Sequence, residues 1–139
     1  MSKFVLDCSV AVAWHFEDEP EPYADRVLDA LKVQRAYVPV LFFYEVANAL
    51  LVAERKGRTT ASKADAFFSE FATLPLEIDS ELPLVSGPRT MALARNHHLA
   101  AYDATYLELA KRYGLPLATL DQALRKAAPE AGVSILFES

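Results

Sequence analysis

The chain has one cysteine, four glycines and a single tryptophan among 139 residues, and it has fewer basic than acidic side chains, 14 against 19. With Cys8 alone, an intrachain disulfide and a cysteine-rich zinc site are both excluded, and Cys8 reads as a small buried side chain. Four glycines and eight prolines are too few for a collagen-like or low-complexity chain, while 53% hydrophobic residues are too many for disorder. Long apolar runs are also lacking. The longest, around residues 38–43, falls far short of the ~18 to 20 residues that span a bilayer. The opening Met1-Ser2-Lys3-Phe4-Val5-Leu6 meets Asp7 too soon for the apolar core of a signal peptide, which predicts a cytoplasmic protein with no membrane association. A formal charge of −5 and a pI of about 5.2 argue against binding nucleic acid through bulk positive charge. They leave open a site where carboxylates meet phosphates through a divalent cation. What is present is the size and balance of one folded domain, expected to span residues 1–139.

Hydrophobic spacing divides the chain into alternating short strands and helices. Phe4-Val5-Leu6 reads as a strand ending at Asp7, with Ser9 as the N-cap of a helix over 10–16. Pro22 opens a second helix through Tyr23, Val27, Leu28 and Leu31, and Arg35–Val38 returns to strand. A long helix over 41–56 carries Phe43, Val46, Ala47, Leu50 and Leu51 on its apolar face and closes at Gly57. An amphipathic helix over 62–74, a strand at Leu76–Ile78, and helices over 84–96 and 103–113 follow, the last stopped by Gly114 and Pro116. The chain then reads as a strand at 117–119, a helix over 121–128 and a last strand over 133–137. This order predicts an α/β fold: one mostly parallel sheet of about five short strands, flanked on both faces by α-helices.

In parallel sheets, ligands bind beyond the carboxyl ends of the strands. Asp7 and Asp121 each follow an apolar strand there and lead into a helix. Asp103 begins the helix after Ala101-Tyr102, and Glu45 interrupts the apolar sequence of the long helix, where an unpaired carboxylate needs a cation or hydrogen bonds. Taken singly, Asp103 and Asp121 read first as helix starts, which favour negative charge, and Glu45 could point outward beside Arg55 and Lys56. Asp7, directly after a buried first strand, is harder to assign to a polar helix entry alone.

The combination of segments is more telling than any one acid. Val5-Leu6-Asp7-Cys8-Ser9 runs into a helix with Trp14, and Glu45-Val46-Ala47-Asn48-Ala49-Leu50 follows Val38-Pro39. Leu99-Ala100-Ala101-Tyr102-Asp103-Ala104-Thr105-Tyr106-Leu107 and Leu117-Ala118-Thr119-Leu120-Asp121 complete the set. In order and along nearly the whole chain, these segments resemble the PIN domain, in particular the VapC-type toxin ribonucleases of prokaryotic toxin–antitoxin pairs. His98 departs from that pattern, standing where the family commonly has a glycine or another turn-former.

The resemblance implies a PIN-like domain, with Asp7, Glu45, Asp103 and Asp121 as catalytic and metal-binding residues of an endoribonuclease leaving a 5′-phosphate and a 3′-hydroxyl. Converging carboxylates repel one another unless a cation neutralises them, and an oxygen-only donor set selects Mg²⁺ or Mn²⁺ over zinc. His97 and His98 are adjacent, so their side chains diverge and do not form the flanking pair of a metal-free mechanism. Ser9 and Thr119 each lie two residues from an acid, close enough to orient it, and Asn48 follows Glu45 by three residues. For Ser9 the N-cap role competes with this one, and for Asn48 a buried amide satisfied by backbone is the alternative.

Local basic residues, Arg55-Lys56-Gly57-Arg58 with Lys63, Arg89 and Arg95, are candidates for RNA contact beside their ordinary reading as solvated helix ends. The acidic run Glu17-Asp18-Glu19 reads as a solvated loop. Trp14, Phe42, Phe43, Tyr44, Phe67, Phe68 and Phe71 exceed the needs of one helix face, so some are expected at an interface. The resemblance implies two such partners, a second copy in a homodimer and a cognate antitoxin protein. A nuclease of RNA processing and a non-catalytic binding module are the competing readings of the same residues.

Overall fold

The computed structural model describes residues 2–138. Its four strands are β1 (Lys3–Leu6), β2 (Arg35–Val38), β3 (Leu76–Ile78) and β4 (Leu117–Ala118). The helices are α1 (Cys8–Ala13), α2 (Pro22–Ala30), α3 (Leu41–Arg55), α4 (Ala61–Glu70), α5 (Pro83–His97), α6 (Ala101–Tyr113) and α7 (Gln122–Glu130). A 3₁₀ turn over Phe71–Thr73 follows α4. Among the described residues, no helix is long and apolar enough to cross a membrane.

All pairings are parallel and the strand order is β3-β2-β1-β4. The chain therefore builds outward from β1 through β2 to β3 and then returns to the other side of β1 with β4. That reversal creates a topological switch point between β1 and β4, the place where α/β sheets leave a crevice at their carboxyl edge. Phe4, Val5 and Leu6 alternate across the central strand and are all fully buried, so both faces of the sheet are covered. From one side α6 contributes Tyr106, Leu107 and Leu109 to the core and packs on both β1 and α5. α1 contacts α2 and α3, and α3 in turn packs on α4.

Two sequence expectations are corrected by this architecture. The strand expected over 133–137 is reduced to one parallel bridge between Leu117 and Ile135, so the sheet has four strands rather than about five. β4 offers only two residues for pairing, and Phe137 turns away with φ +67. On α3 the core face is Phe42, Val46, Leu50 and Ala53, whereas Phe43 is half-buried and Leu51 exposed. His98 adopts φ +54 as the C-cap of α5, the left-handed conformation for which glycine is the usual residue.

Candidate active site

Asp7 is delivered by the end of β1 and is 4% exposed. It occupies the N-cap position of α1 but makes no capping bond with its side chain. Helix α1 starts at Cys8, so Ser9 lies inside its first turn and is not the N-cap. Its hydroxyl instead donates to Asp7 Oδ2 at 2.6 Å and accepts the Leu120 amide at 2.9 Å. Thr119, fully buried after β4, does the same from the other side: its hydroxyl donates to Asp7 Oδ2 at 2.7 Å and accepts the Asp121 amide at 3.0 Å. A hydroxyl has one proton, so each donates its only proton to Asp7 and uses a lone pair for an amide of the β4–α7 turn. The Asp7 carboxylate is thereby tied through two hydroxyls to the backbone of the turn that carries Asp121. Asp121 itself caps α7, accepting the Leu124 amide at 2.9 Å. The helix-start role and membership of the acid group hold together in this residue.

Glu45 is half-buried on α3, turned inward rather than toward Arg55 and Lys56. It accepts a 2.5 Å hydrogen bond from the hydroxyl of the fully buried Tyr106 on α6. Asp103 stands one turn earlier on α6, in its first turn. Sequence reasoning placed Tyr106 in a motif without giving it a role. The signal that finds it is spacing, since Asp103 and Tyr106 are i and i+3 and share a helix face.

The electrostatics tie the four acids into one group. Burial lifts the Asp7 carboxyl above its ordinary range, the Ser9 and Thr119 hydroxyls oppose that rise, and the Asp121 charge adds to it. Glu45 is raised by burial, lowered by Tyr106 and raised again by Asp7 and Asp103. Asp103 is raised by burial and then by Asp121 and Asp7. Burial also pushes the neighbouring Cys8 thiol up, reinforced by Asp7 and Glu45, so Cys8 is an inert thiol beside the site.

Among the described residues, no three acidic, histidine or cysteine side chains stand close enough to enclose a cation by themselves. The donor set nevertheless fits a hard cation that keeps several waters and takes only one or two carboxylates directly. Every polar side chain in it offers oxygen, and its repelling carboxylates gain most from a counter-charge.

Other expected residues fall outside this network. Asn48 is exposed and, among the described residues, its side chain bonds neither Glu45 nor backbone, so neither the expected bond to Glu45 nor the buried-amide alternative holds. Arg58 pairs with Glu19 and lies over Phe16, so the acidic loop holds one of the candidate RNA-binding cations. Arg89 is engaged by Glu81 and Glu108. Arg55, Lys56, Lys63 and Arg95 are exposed.

Comparison with known proteins gives the family and the fold. The profile of the PIN domain family matches residues 4–129. The chain is 30% identical over 129 residues to ribonuclease VapC3 of Pyrobaculum aerophilum, covering 91% of this chain and 95% of that one. It is 35% identical over 95 residues to ribonuclease VapC3 of Mycobacterium tuberculosis, covering 68% and 66%. The crystal structure of PAE2754 from Pyrobaculum aerophilum superposes with a TM-score of 0.70 at 24% identity, over 91% of this chain and 84% of that one. VapBC2 from Rickettsia felis, solved bound to a DNA fragment from its promoter, shares the fold with a TM-score of 0.61 at 16% identity, over 96% of each chain. By sequence profile, relatives and fold alike, the chain belongs to the PIN domain family.

Proposed function

We propose that this protein is an endoribonuclease that hydrolyses RNA phosphodiester bonds at Asp7, Glu45, Asp103 and Asp121 with Mg²⁺ or Mn²⁺, and that it is the toxin of a toxin–antitoxin pair. The observation that carries the reading is the pair of strand-end acids at the switch point, Asp7 being braced by two hydroxyls that also hold the turn bearing Asp121, with the charges of Asp7 and Asp103 raising Glu45 and those of Asp121 and Asp7 raising Asp103. The curated relatives named ribonuclease VapC3 support the reaction class.

The four acids would hold the cation, with Ser9 and Thr119 fixing the orientation of Asp7. A bound divalent ion supplies a lowered pKa for the attacking water and a counter-charge for the phosphate. The chain's own contribution is placement. The Ser9 and Thr119 hydroxyls favour the ionised form of Asp7 against its burial, and the Tyr106 hydroxyl does the same for Glu45. The α7 N-terminus, through the Leu124 amide, holds one oxygen of Asp121 and fixes the side chain at the crevice.

An antitoxin and a second copy are the proposed protein partners, and the cytoplasm the proposed location. Exposed apolar side chains support them: Tyr44 is 71% and Leu84 92% exposed. A groove of about 770 Å³, lined by Trp14, His15, Phe16, Arg58, Lys63 and Phe67 among others, contains none of the four acids. It suits a peptide partner rather than the scissile phosphate.

The test is cleavage of a mixed pool of transfer RNA and synthetic stem-loops by purified protein with Mg²⁺ or Mn²⁺, beside EDTA and Asp7→Asn controls. Cleavage lost in both controls, with 5′-phosphate ends, supports the reading. Cleavage surviving either control overturns it.

A further inference from the structure

The segment 134–138 is docked beside β4, and the side chain of Arg125 links it to the turn that carries Asp121. Arg125, on α7, donates from Nε to the Thr119 carbonyl at 2.8 Å and pairs through Nη1 with Glu138. Its guanidinium lies over the Tyr23 ring at 4.5 Å, and the Tyr23 hydroxyl donates to the Leu136 carbonyl at 3.1 Å. Arg26 stacks at 4.0 Å on Phe137, the residue with φ +67, and the Leu136 amide donates to the Leu117 carbonyl of β4. Thr119 sits where these contacts converge. Its carbonyl is held by Arg125 while its hydroxyl holds Asp7 and receives the Asp121 amide.

We propose that Arg125 is a positioning residue: it couples the docked segment 134–138 to the Thr119–Asp121 turn and thereby sets the geometry of Asp7 and Asp121. The fork of a guanidinium is what allows one side chain to serve both partners, since Nε and Nη1 point to different acceptors. A lysine at this position can reach one of them but not both. The inference rests on the four-acid reading for its consequence in metal binding, and on hydrogen-bond geometry alone for the coupling itself.

Two measurements separate those parts. The first is amide hydrogen exchange on metal-free protein, wild type against Arg125→Ala and Arg125→Lys. The Leu120, Asp121 and Leu124 amides bond Ser9 Oγ, Thr119 Oγ1 and Asp121 Oδ2, and report the turn directly. They are expected to exchange about tenfold faster in Arg125→Ala, with partial restoration in Arg125→Lys, while the amides of α3 are unchanged. Glu138→Ala with Phe137→Ala is expected to give a smaller change at the same three amides. The second is Mn²⁺ titration by calorimetry, where Arg125→Ala is expected to weaken binding about tenfold, the lower end for residues that orient a ligand indirectly. Unchanged protection at all three amides in Arg125→Ala overturns the coupling whatever the metal does. Faster exchange in a protein whose wild type binds no Mn²⁺ upholds the coupling and refutes the four-acid reading instead.

Discussion

Thr119→Val removes one hydroxyl and keeps the side chain's shape, so it isolates the hydrogen bonds from the packing. Thr119 is fully buried, and its hydroxyl makes a 2.7 Å bond to Asp7 and a 3.0 Å bond from the Asp121 amide. A bond to a charged group contributes about 1.5–3 kcal/mol, and an amide left without a partner costs about 1–3 kcal/mol when no water replaces it. Asp121 is half-exposed, so water takes up part of the second loss. The expected destabilisation at neutral pH is about 3 kcal/mol, which lowers Tm by roughly 6–12 °C in a chain of this size. Thr119→Ser keeps the hydroxyl, loses a methyl and is expected to cost only about 1 kcal/mol.

The pH dependence has a definite sign. Burial holds the Asp7 pKa above its unfolded value, so its protonated form stabilises the fold below the ordinary carboxylate range, and that stability is lost as pH rises through the folded value. Thr119 opposes the rise. Removing it raises the folded pKa further, so the deficit of Thr119→Val is smallest in acid, where Asp7 is protonated, and grows toward neutral pH. Urea unfolding of metal-free protein from pH 4 to 8 measures both effects. Equal stability of the Val and Ser variants, or a deficit independent of pH, refutes the reasoning.

Tyr106→Phe removes the donor that lowers the Glu45 pKa, so a carboxyl NMR titration of metal-free protein should find the Glu45 midpoint higher than in wild type. Since Glu45 is already raised, its contribution to stability, present below the unfolded value, should then persist to a higher pH before it is lost. Arg112→Ala removes the partner of Asp79, Glu81 and Glu108, and leaves Glu108, 4% exposed, with Arg89 at 3.3 Å. The expected loss is about 3 kcal/mol in denaturant unfolding, the lower end for breaking a buried ion pair, because one partner remains. His98→Gly relieves a left-handed backbone at an exposed helix end and should stabilise the protein by about 0.5–1 kcal/mol, read as a rise in urea midpoint.

The four strands of the sheet and most helices were legible because their apolar runs and stop signals are local, whereas the strand expected over 133–137 is a single bridge. Arg35–Val38 and Leu76–Ile78 fall where β-rich triplets and quartets meet turn residues, and the α6 end falls at Gly114. The strand-end placement of Asp7 and Asp121 was legible in the sequence, and the resemblance to the PIN domain added Glu45 and Asp103 to the proposed group. What the sequence hid is tertiary. Ser9 offered both a cap and a partner for nearby Asp7, and the second role holds, but its bond from the Leu120 amide joins residues 111 apart and is supplied only by the fold. Phe42 takes the core place expected of Phe43 because a helical rotation of 100° per residue separates core from rim, and spacing alone does not set the phase. The segment after Pro129 reads as a strand, yet Glu138 and Phe137 meet Arg125 and Arg26 there, contacts that hydrophobic spacing does not encode.

The most direct measurement of the central claim is calorimetric titration of Mn²⁺ into metal-free protein at neutral pH, wild type beside Asp7→Asn and Glu45→Gln. The four-acid account predicts saturable binding to the wild type at one or two sites, weakened at least tenfold in each variant. Equal binding by all three proteins, or none by a wild type that still cleaves RNA in EDTA, contradicts it.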